Sequence, residues 1–363
     1  MPWIHLHVGQ KGNAYACCVA NIPFGNVNEQ SFEEVWNGEP IKAIRDKFAS
    51  GESDNRCKVC QKVEQSGGKS IRLETFDKYE KTELSTGPVY FDIRFSNVCN
   101  FKCRTCWHGA SSKWFEDAKA LNRNLTESAI IKNVEDFDLF ISKFGEHLLN
   151  AKEIYFAGGE PLVTEEHYLL LDYLLANNRI DMLLRYNTNF SILKFKGRDI
   201  LSYWRNFSQV EVMASLDELE EKGEYVRSGF NWNKFLKNRE EIRDLQNVKF
   251  LVAPTVSVFN IESLVEMYQK LISLEVIQPN HFYINLLERP YYYNVKSLSL
   301  GEKIRISQKL SLVEGVSDIR NQIIEVVNFM NSEDLSSHQK AFQKETKLID
   351  RLRGESYWSV VKK

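Results

Sequence analysis

Three cysteines stand close together at Cys99, Cys103 and Cys106, with the spacing C-x3-C-x2-C, directly after a strand expected at residues 89–95. Three thiolates on one short loop supply three ligands of a [4Fe–4S] cluster and leave the fourth iron without a protein ligand. An open iron can bind a small molecule, whereas a cluster with four cysteine ligands only transfers electrons. The alternative is a zinc ion completed by His108, although four ligands within ten residues are crowded for a tetrahedral site.

The other four cysteines precede this loop, so that all seven lie within the first 106 residues; the four are Cys17, Cys18, Cys57 and Cys60. Soft thiolates suit iron–sulfur clusters or zinc. This group therefore indicates either an auxiliary [4Fe–4S] cluster or a structural zinc site, in which the adjacent cysteines would be strained. His5 and His7 alternate on an expected strand and are interpreted as ordinary strand residues.

Strands and helices that alternate from about residue 88 must position these cysteines. Apolar runs predict strands at 89–95, 153–156, 182–187, 210–215, 249–258 and 282–286, with helices at 134–149, 165–176 (after a Thr164 cap), 232–245 and 261–274. This order predicts a parallel sheet or an α/β barrel, and barrels carry their chemistry just after the strand ends. Upstream, Ser31 and Glu34 fit a capping box for a short helix through Trp36, followed by a helix at 39–48. The last part is helical, at 302–312, 318–330 and 338–352.

Composition restricts the class of protein. The 363 residues suit one large domain with a smaller one, and the 43% hydrophobic content excludes disorder for most of the chain. The 47 basic and 49 acidic residues nearly cancel, which disfavours a nucleic-acid binder. No apolar run reaches the roughly 18 residues of a membrane span. The start lacks a secretory signal, so we expect reduced cysteines in the cytoplasm.

The three-cysteine loop and the pattern after it resemble the radical S-adenosylmethionine (radical SAM) superfamily. Its members carry C-x3-C-x-φ-C after the first strand of a partial (β/α)6 barrel. Here Thr105 takes the φ position, and the aromatic residue follows at Trp107. The segment 158–161 reads GGEP and resembles the family segment that binds the methionyl amine of the cofactor. Gly158 and Gly159 allow close backbone approach, and the Glu160 carboxylate can attract an ammonium group.

Further matches follow successive expected strands, where barrel sites collect their side chains. The resemblance implies cofactor contacts from an NTN segment, an S-x-D segment and a downstream arginine, namely Asn187, Asn189, Ser215, Asp217 and Arg227. Glu218 takes the place of the glycine that usually follows the S-x-D segment. For each contact the alternative is a strand-end cap or a surface ion pair.

The order of features at the start of the chain resembles the auxiliary-cluster region of SPASM/Twitch proteins. Cys17-Cys18 come first, then Gly25-Asn26, the segment FEEVW at 32–36 and Cys57-x2-Cys60. In most such proteins this region follows the barrel, and here it precedes it. Relatives with this arrangement often carry another cysteine before a Pro-Trp pair, which here follows Met1 directly. The resemblance divides the chain into an auxiliary iron–sulfur region (1–85), a partial (β/α)6 TIM-like barrel (86–298) and a helical C-terminal extension (299–363).

The resemblance implies an enzyme that takes one electron from a flavodoxin- or ferredoxin-type donor. It would cleave S-adenosylmethionine reductively to a 5′-deoxyadenosyl radical, which abstracts hydrogen from a substrate such as a peptide or a protein side chain. No residue is assigned a catalytic role of its own. The alternative, from another class, is a non-catalytic binding protein whose zinc or iron–sulfur centres only stabilise the fold. The aromatic segment Tyr291–Tyr293 either lines a substrate entrance or packs against the C-terminal helices.

Overall fold

The computed structural model describes residues 1–65, 70–80, 87–126, 128–312 and 315–361. The chain divides into two compact units, each discontinuous in sequence. The first unit contains Met1–Val98, Ile130–Asn187 and Lys196–Val210, and the second contains Cys99–Ala129, Thr188–Phe195 and Glu211–Lys363. The boundary expected between residues 85 and 86 lies outside the described residues, and the three-domain division stays a prediction.

The strands, in chain order, are β1 (His5–Val8), β2 (Asn13–Tyr15), β3 (Gly25–Asn26), β4 (Tyr90–Ile93), β5 (Lys102–Cys103), β6 (Glu153–Phe156), β7 (Leu183–Thr188), β8 (Lys194–Phe195), β9 (Arg198–Asp199), β10 (Gln209–Ala214), β11 (Arg227–Ser228), β12 (Val248–Val252), β13 (Thr255–Val256) and β14 (Asn285–Leu286). The α-helices are α1 (Phe32–Trp36), α2 (Glu39–Ala49), α3 (Lys58–Gln65), α4 (Ile71–Tyr79), α5 (Phe115–Ala120), α6 (Phe137–Leu149), α7 (Glu165–Ala176), α8 (Ile200–Trp204), α9 (Glu220–Val226), α10 (Trp232–Glu241), α11 (Leu264–Ser273), α12 (Leu300–Ser311), α13 (Arg320–Asn331), α14 (Gln339–Arg353) and α15 (Tyr357–Val360). Short 3-10 helices cover Gln10–Gly12, Asn55–Cys57, Ser112–Trp114, Pro161–Val163, Tyr291–Tyr293, Val295–Ser297, Ser317–Ile319 and Ser336–His338.

The first unit is built on a largely parallel sheet with the strand order β7-β6-β4-β1-β2-β3. β4 pairs in parallel with β6 on one side and with β1 on the other, and β6 pairs in parallel with β7. Phe91, Ile154 and Leu184 are neighbours in register and fully buried, as expected where helices cover a parallel sheet. This central sheet confirms the predicted α/β class. Through β1, the N-terminal region contributes a strand to the sheet.

Several element boundaries agree with the sequence patterns, and others differ for local reasons. β6 and α7 have the predicted limits, and the capping box of Ser31 and Glu34 is present at α1. The strand predicted at 249–258 is wrong, because it is split into β12 and β13 around Pro254, which has no N–H to donate to a ladder. Thr164 occupies the predicted N-cap position of α7, but its hydroxyl donates to the Glu160 carbonyl oxygen instead of accepting from the helix.

The second unit contains the predicted C-terminal helices, and an aromatic cluster lies beneath them. Tyr293 is 1% exposed and packs with Phe259, Phe342 and Tyr357. Of the two alternatives for the segment Tyr291–Tyr293, packing against the C-terminal helices therefore holds for Tyr293. Tyr291, in contrast, is 40% exposed. Among the described residues, none of the helices is both long enough and apolar enough to span a membrane.

Candidate functional site

The three-cysteine loop is fixed by hydrogen bonds from the segment that follows it. The Ser112 hydroxyl accepts from the Cys99 N–H at 3.2 Å, and the Ser111 hydroxyl donates to the Phe101 carbonyl oxygen at 2.5 Å. The indole N–H of Trp114 donates to the Cys103 carbonyl oxygen at 2.7 Å. The Phe101 side chain is buried, so apolar packing also holds the loop in place. The 3-10 helix Ser112–Trp114 thus positions the cysteine backbone.

Cys103 has a charged neighbour that reaches it through strand pairing. β5 and β11 pair antiparallel, with Cys103 opposite Arg227. The guanidinium of Arg227 donates from Nη1 to the Cys103 sulfur at 3.7 Å, and the same Nη1 lies 3.5 Å from Asp217 Oδ2. The structure therefore brings three of the predicted site residues together within the second unit.

Burial raises the pKa of two thiols of the loop. Burial, followed by the neighbouring thiols of Cys103 and Cys99, raises the pKa of Cys106 to about 12. Burial also raises the pKa of Cys103, which Arg227 opposes. None of these cysteines is in a disulfide. A metal centre on this loop must therefore displace protons when it binds.

The donor types of the loop are compatible with an iron–sulfur cluster. Its three thiols include no carboxylate, and soft sulfur ligands match the ligand preference of iron–sulfur centres. Within the described residues, no three Cys, His, Asp or Glu side chains are grouped so as to hold one metal ion.

Asn189 supports the cysteine loop through a residue that the sequence patterns did not single out. Its amide nitrogen donates to Asn100 Oδ1 at 2.8 Å, and the amide of Asn100 donates to the Ser191 hydroxyl at 2.8 Å. Asn189 Oδ1 accepts from the Ser191 N–H at 3.0 Å. The position of Asn100 beside Cys99, between the first two cysteines, was the available signal.

Ser215 and Asp217 follow β10, as predicted for strand-end residues. The Ser215 N–H donates to the Thr188 carbonyl oxygen at 2.7 Å. Asp217 is 1% exposed and accepts from the Thr255 N–H at 2.8 Å. The neighbouring Glu218 is also buried, and burial raises its pKa to about 7.

In the first unit, the GGE segment (158–160) lies against the backbone of Val98, the residue just before Cys99. Gly158 and Gly159 have positive φ values of 78° and 51°, and a Cβ on Gly159 would lie 2.2 Å from the Val98 carbonyl oxygen. The Glu160 N–H donates to that same oxygen at 2.7 Å. The Glu160 carboxylate is buried and accepts from the Leu162 N–H at 3.0 Å, so it caps the following 3-10 helix. Its predicted contact with an ammonium group stays a prediction, as does that of Asn187, which is half-buried in β7.

The four N-terminal cysteines do not share one environment. Burial, then the Cys60 and Cys57 thiols, raises the pKa of Cys17 to about 11. Burial, then the Asp92 carboxylate, raises the pKa of Cys18 to about 12. Cys17 thus interacts with the Cys57-x2-Cys60 pair, whereas Cys18 interacts with Cys17 and with a polar face that includes Asp92 of β4.

That polar face is a feature that sequence reasoning missed. His7 Nδ1 lies 3.1 Å from Asp92 Oδ2, because β1 and β4 place the two residues side by side. Arg94 Nε lies 3.6 Å from the other oxygen of Asp92. Burial raises the pKa of Asp92, but His7 and Arg94 outweigh it and lower the value to about 2. His5 stacks on a tyrosine ring, and its burial lowers its pKa to about 3. The alternation of His5 and His7 in one expected strand, and of Asp92 and Arg94 in another, was the available signal.

The second missed group connects the loop to the C-terminal helices. Arg104 lies between Cys103 and Cys106, is 1% exposed, and pairs with the carboxylates of Asp350 and Glu355. These partners are far apart in sequence, so local spacing carried no signal for them.

Comparison with known proteins gives a family match for the start of the chain. Residues 1–61 match the family model of SPASM, an iron–sulfur cluster-binding domain. No curated protein matches the chain. SuiB of Streptococcus suis bound to the precursor peptide SuiA is similar in structure, at 15% identity and a TM-score of 0.41, over 75% of this chain and 58% of SuiB. The structure of anSMEcpe with bound AdoMet is similar at 16% identity and a TM-score of 0.43, over 68% of this chain and 63% of anSMEcpe. The structure of TYW1 with a lysine-pyruvate adduct is similar at 14% identity and a TM-score of 0.31, over 62% of this chain and 70% of TYW1.

The chain spans less than two thirds of the length of SuiB and of anSMEcpe. The family match covers both cysteine pairs, Cys17-Cys18 and Cys57-x2-Cys60, and the helix α1 between them. This match to a SPASM iron–sulfur cluster-binding domain confirms the resemblance that the order of cysteines and helix predicted for residues 1–61.

Proposed function

We propose that this chain is a radical SAM enzyme that acts on a peptide or a protein side chain. The observation that carries the proposal is the three-cysteine loop, which directly follows the β4 segment of a parallel sheet in a chain that begins with a SPASM-type domain. Three free thiols fit a cluster with one open iron. The peptide substrate follows from the family resemblance.

The proposal gives each predicted site residue a role. Cys99, Cys103 and Cys106 would hold the cluster that binds S-adenosylmethionine, and the N-terminal domain would hold an auxiliary [4Fe–4S] cluster through cysteines among Cys17, Cys18, Cys57 and Cys60. When bound, cluster and S-adenosylmethionine supply one-electron reductive cleavage and the removal of a hydrogen atom from a substrate. The residues that would bind and orient the cofactor are Gly158, Gly159, Glu160, Asn187, Asn189, Ser215, Asp217 and Arg227.

The first experiment is anaerobic reconstitution of the full chain with iron and sulfide. Two [4Fe–4S] clusters correspond to about eight irons per chain with matching sulfide. Addition of S-adenosylmethionine is expected to change the electron paramagnetic resonance (EPR) spectrum of the reduced protein, and dithionite is expected to yield 5′-deoxyadenosine. A chain that carries both clusters and gives no 5′-deoxyadenosine would contradict the proposal, while one or two zinc ions would favour the non-catalytic binding protein.

Two matched cysteine variants assign the clusters. Cys103→Ala is expected to lose about four irons together with the spectral response to S-adenosylmethionine. Cys57→Ala is expected to lose about four irons and to keep that response. A flavodoxin or a ferredoxin in place of dithionite tests the proposed electron donor. Mass spectrometry of candidate peptides incubated with the loaded enzyme tests the substrate class.

A further inference from the structure

The guanidinium of Arg227 contacts both the Cys103 sulfur and the buried carboxylate of Asp217. The pairing of β5 with β11 places Arg227 opposite Cys103, and the Arg104 N–H donates to the Val226 carbonyl oxygen at 2.8 Å beside this pair. The backbone thus determines that the Arg227 side chain meets the Cys103 sulfur, at 3.7 Å. The Arg227 side chain is only 11% exposed, so water screens its charge weakly.

Asp217 holds the guanidinium in place. Its carboxylate lies 3.5 Å from Arg227 Nη1 and is 1% exposed. Its other oxygen accepts from the Thr255 N–H at 2.8 Å, and its backbone carbonyl accepts from the Asn260 amide at 2.8 Å. These hydrogen bonds fix the position of the Asp217 carboxylate, which in turn holds the Arg227 guanidinium beside the Cys103 sulfur.

We propose that Arg227 raises the reduction potential of the cluster held by Cys99, Cys103 and Cys106, and that Asp217 is a positioning residue for it. The inference rests on the proposed function, since it needs a cluster on this loop. Reduction adds an electron to a centre that three thiolates already make negative. A nearby cation and a hydrogen bond to sulfur therefore stabilise the reduced form more than the oxidised form. An arginine keeps its charge at every pH at which proteins fold.

The sign of the effect can be tested with variants that change one charge at a time. Arg227→Met removes the cation and the donor, and we expect the ratio of reduced to oxidised cluster at a fixed potential to fall about tenfold, which is about 59 mV for a one-electron couple. Arg227→Lys keeps the charge without the planar fork, so its shift should be smaller. Asp217→Asn removes the opposing negative charge but keeps a polar partner for the guanidinium, and should shift the potential in the positive direction. Asp217→Ala removes the same charge and also the partner that positions the guanidinium, so its positive shift should be smaller. The double variant Arg227→Met with Asp217→Asn leaves no unpaired buried charge and should still lie below Asp217→Asn.

The measurement is an anaerobic redox titration of the reconstituted full chain, followed by EPR. Cys99→Ala is expected to show only the signal of the N-terminal domain, so the difference from the unsubstituted chain isolates the loop cluster. If the variants hold iron and sulfide like the unsubstituted chain and titrate at the same potential, the inference is overturned and the proposed function stands. If the unsubstituted chain forms no cluster on the loop, as iron analysis would reveal, the proposed function itself fails.

Discussion

Replacing Arg104 by methionine removes the buried cation that joins the cysteine loop to the last helices. In the native chain, Arg104 Nε donates to the Tyr225 carbonyl oxygen at 3.2 Å, and the guanidinium lies 3.6 Å from the centre of the Tyr225 ring. Its Nη2 pairs with the carboxylates of Asp350 and Glu355. Asp350 in turn accepts from the Tyr225 hydroxyl at 2.8 Å, so one arginine is the centre of a small buried network.

Loss of one partner from a buried ion pair costs about 3–5 kcal/mol, because the remaining charge stays without compensation. Here the remaining charges are the carboxylates of Asp350 and Glu355, whose side chains are 14% and 25% exposed and can regain some hydration. Methionine also keeps most of the apolar stem of the arginine. We therefore expect Arg104→Met to lower the free energy of unfolding by about 3 kcal/mol, the lower end of that range.

Urea unfolding of the metal-free chain, followed by tryptophan fluorescence, measures this cost. The matched control is Arg243→Met, since Arg243 pairs with Glu240 on the surface, where the two side chains are 46% and 63% exposed. An exposed pair of this kind contributes about 1 kcal/mol at most. Equal losses in the two variants would refute the claim that the C-terminal helices anchor the loop through Arg104.

Two further predictions concern the glycine pair and a buried carboxyl group. Gly159→Ala places a Cβ against the Val98 carbonyl oxygen, whereas Gly197→Ala, also at positive φ, meets no atom within 4 Å. In urea unfolding we expect about 1 kcal/mol of destabilisation for Gly197→Ala and a further ~1–3 kcal/mol for Gly159→Ala, and equal values would contradict the close approach. Burial raises the pKa of Glu218 from 4.5 to about 7, so the folded chain binds the extra proton and loses stability as pH rises through this window. Between pH 5 and pH 8 this loss is about 2.5 kcal/mol, and Glu218→Gln should remove it; parallel pH profiles of stability for the two proteins would count against this prediction.

The sequence predicted best those elements whose signals are local. β6 is a short apolar run that ends before two glycines, and α7 begins at Glu165, just after Thr164, so both had their predicted limits. The match of the first 61 residues to the SPASM family model was predictable for the same reason, because the cysteines and the capped helix α1 lie close together in sequence. The strand at 249–258 was predicted as continuous although Pro254 already argued against it.

The sequence could not predict contacts that depend on which strands become neighbours. His7 meets Asp92 only because β1 adds to the edge of β4 in parallel, and no spacing along the chain encodes that choice. The pairing of Arg104 with Asp350 likewise needs the C-terminal helices in place. Motif resemblance identified Arg227, but it did not indicate that the guanidinium would face the Cys103 sulfur.

The second unit orients its cysteines through groups that do not titrate near neutral pH. Burial and the neighbouring thiols raise the pKa of Cys106 to about 12, so without a metal its sulfur carries a proton and cannot attract a cation by charge. Neutral or permanently charged groups hold the loop instead, among them the Trp114 indole on the Cys103 carbonyl, the Asn100 amide and the Arg227 guanidinium, none of which gains or loses a proton in this range. Since binding of a metal centre releases the thiol protons, its affinity should rise with pH while the loop geometry stays the same. The fold therefore supplies position, and the bonds between metal and thiolate must supply the free energy of deprotonation.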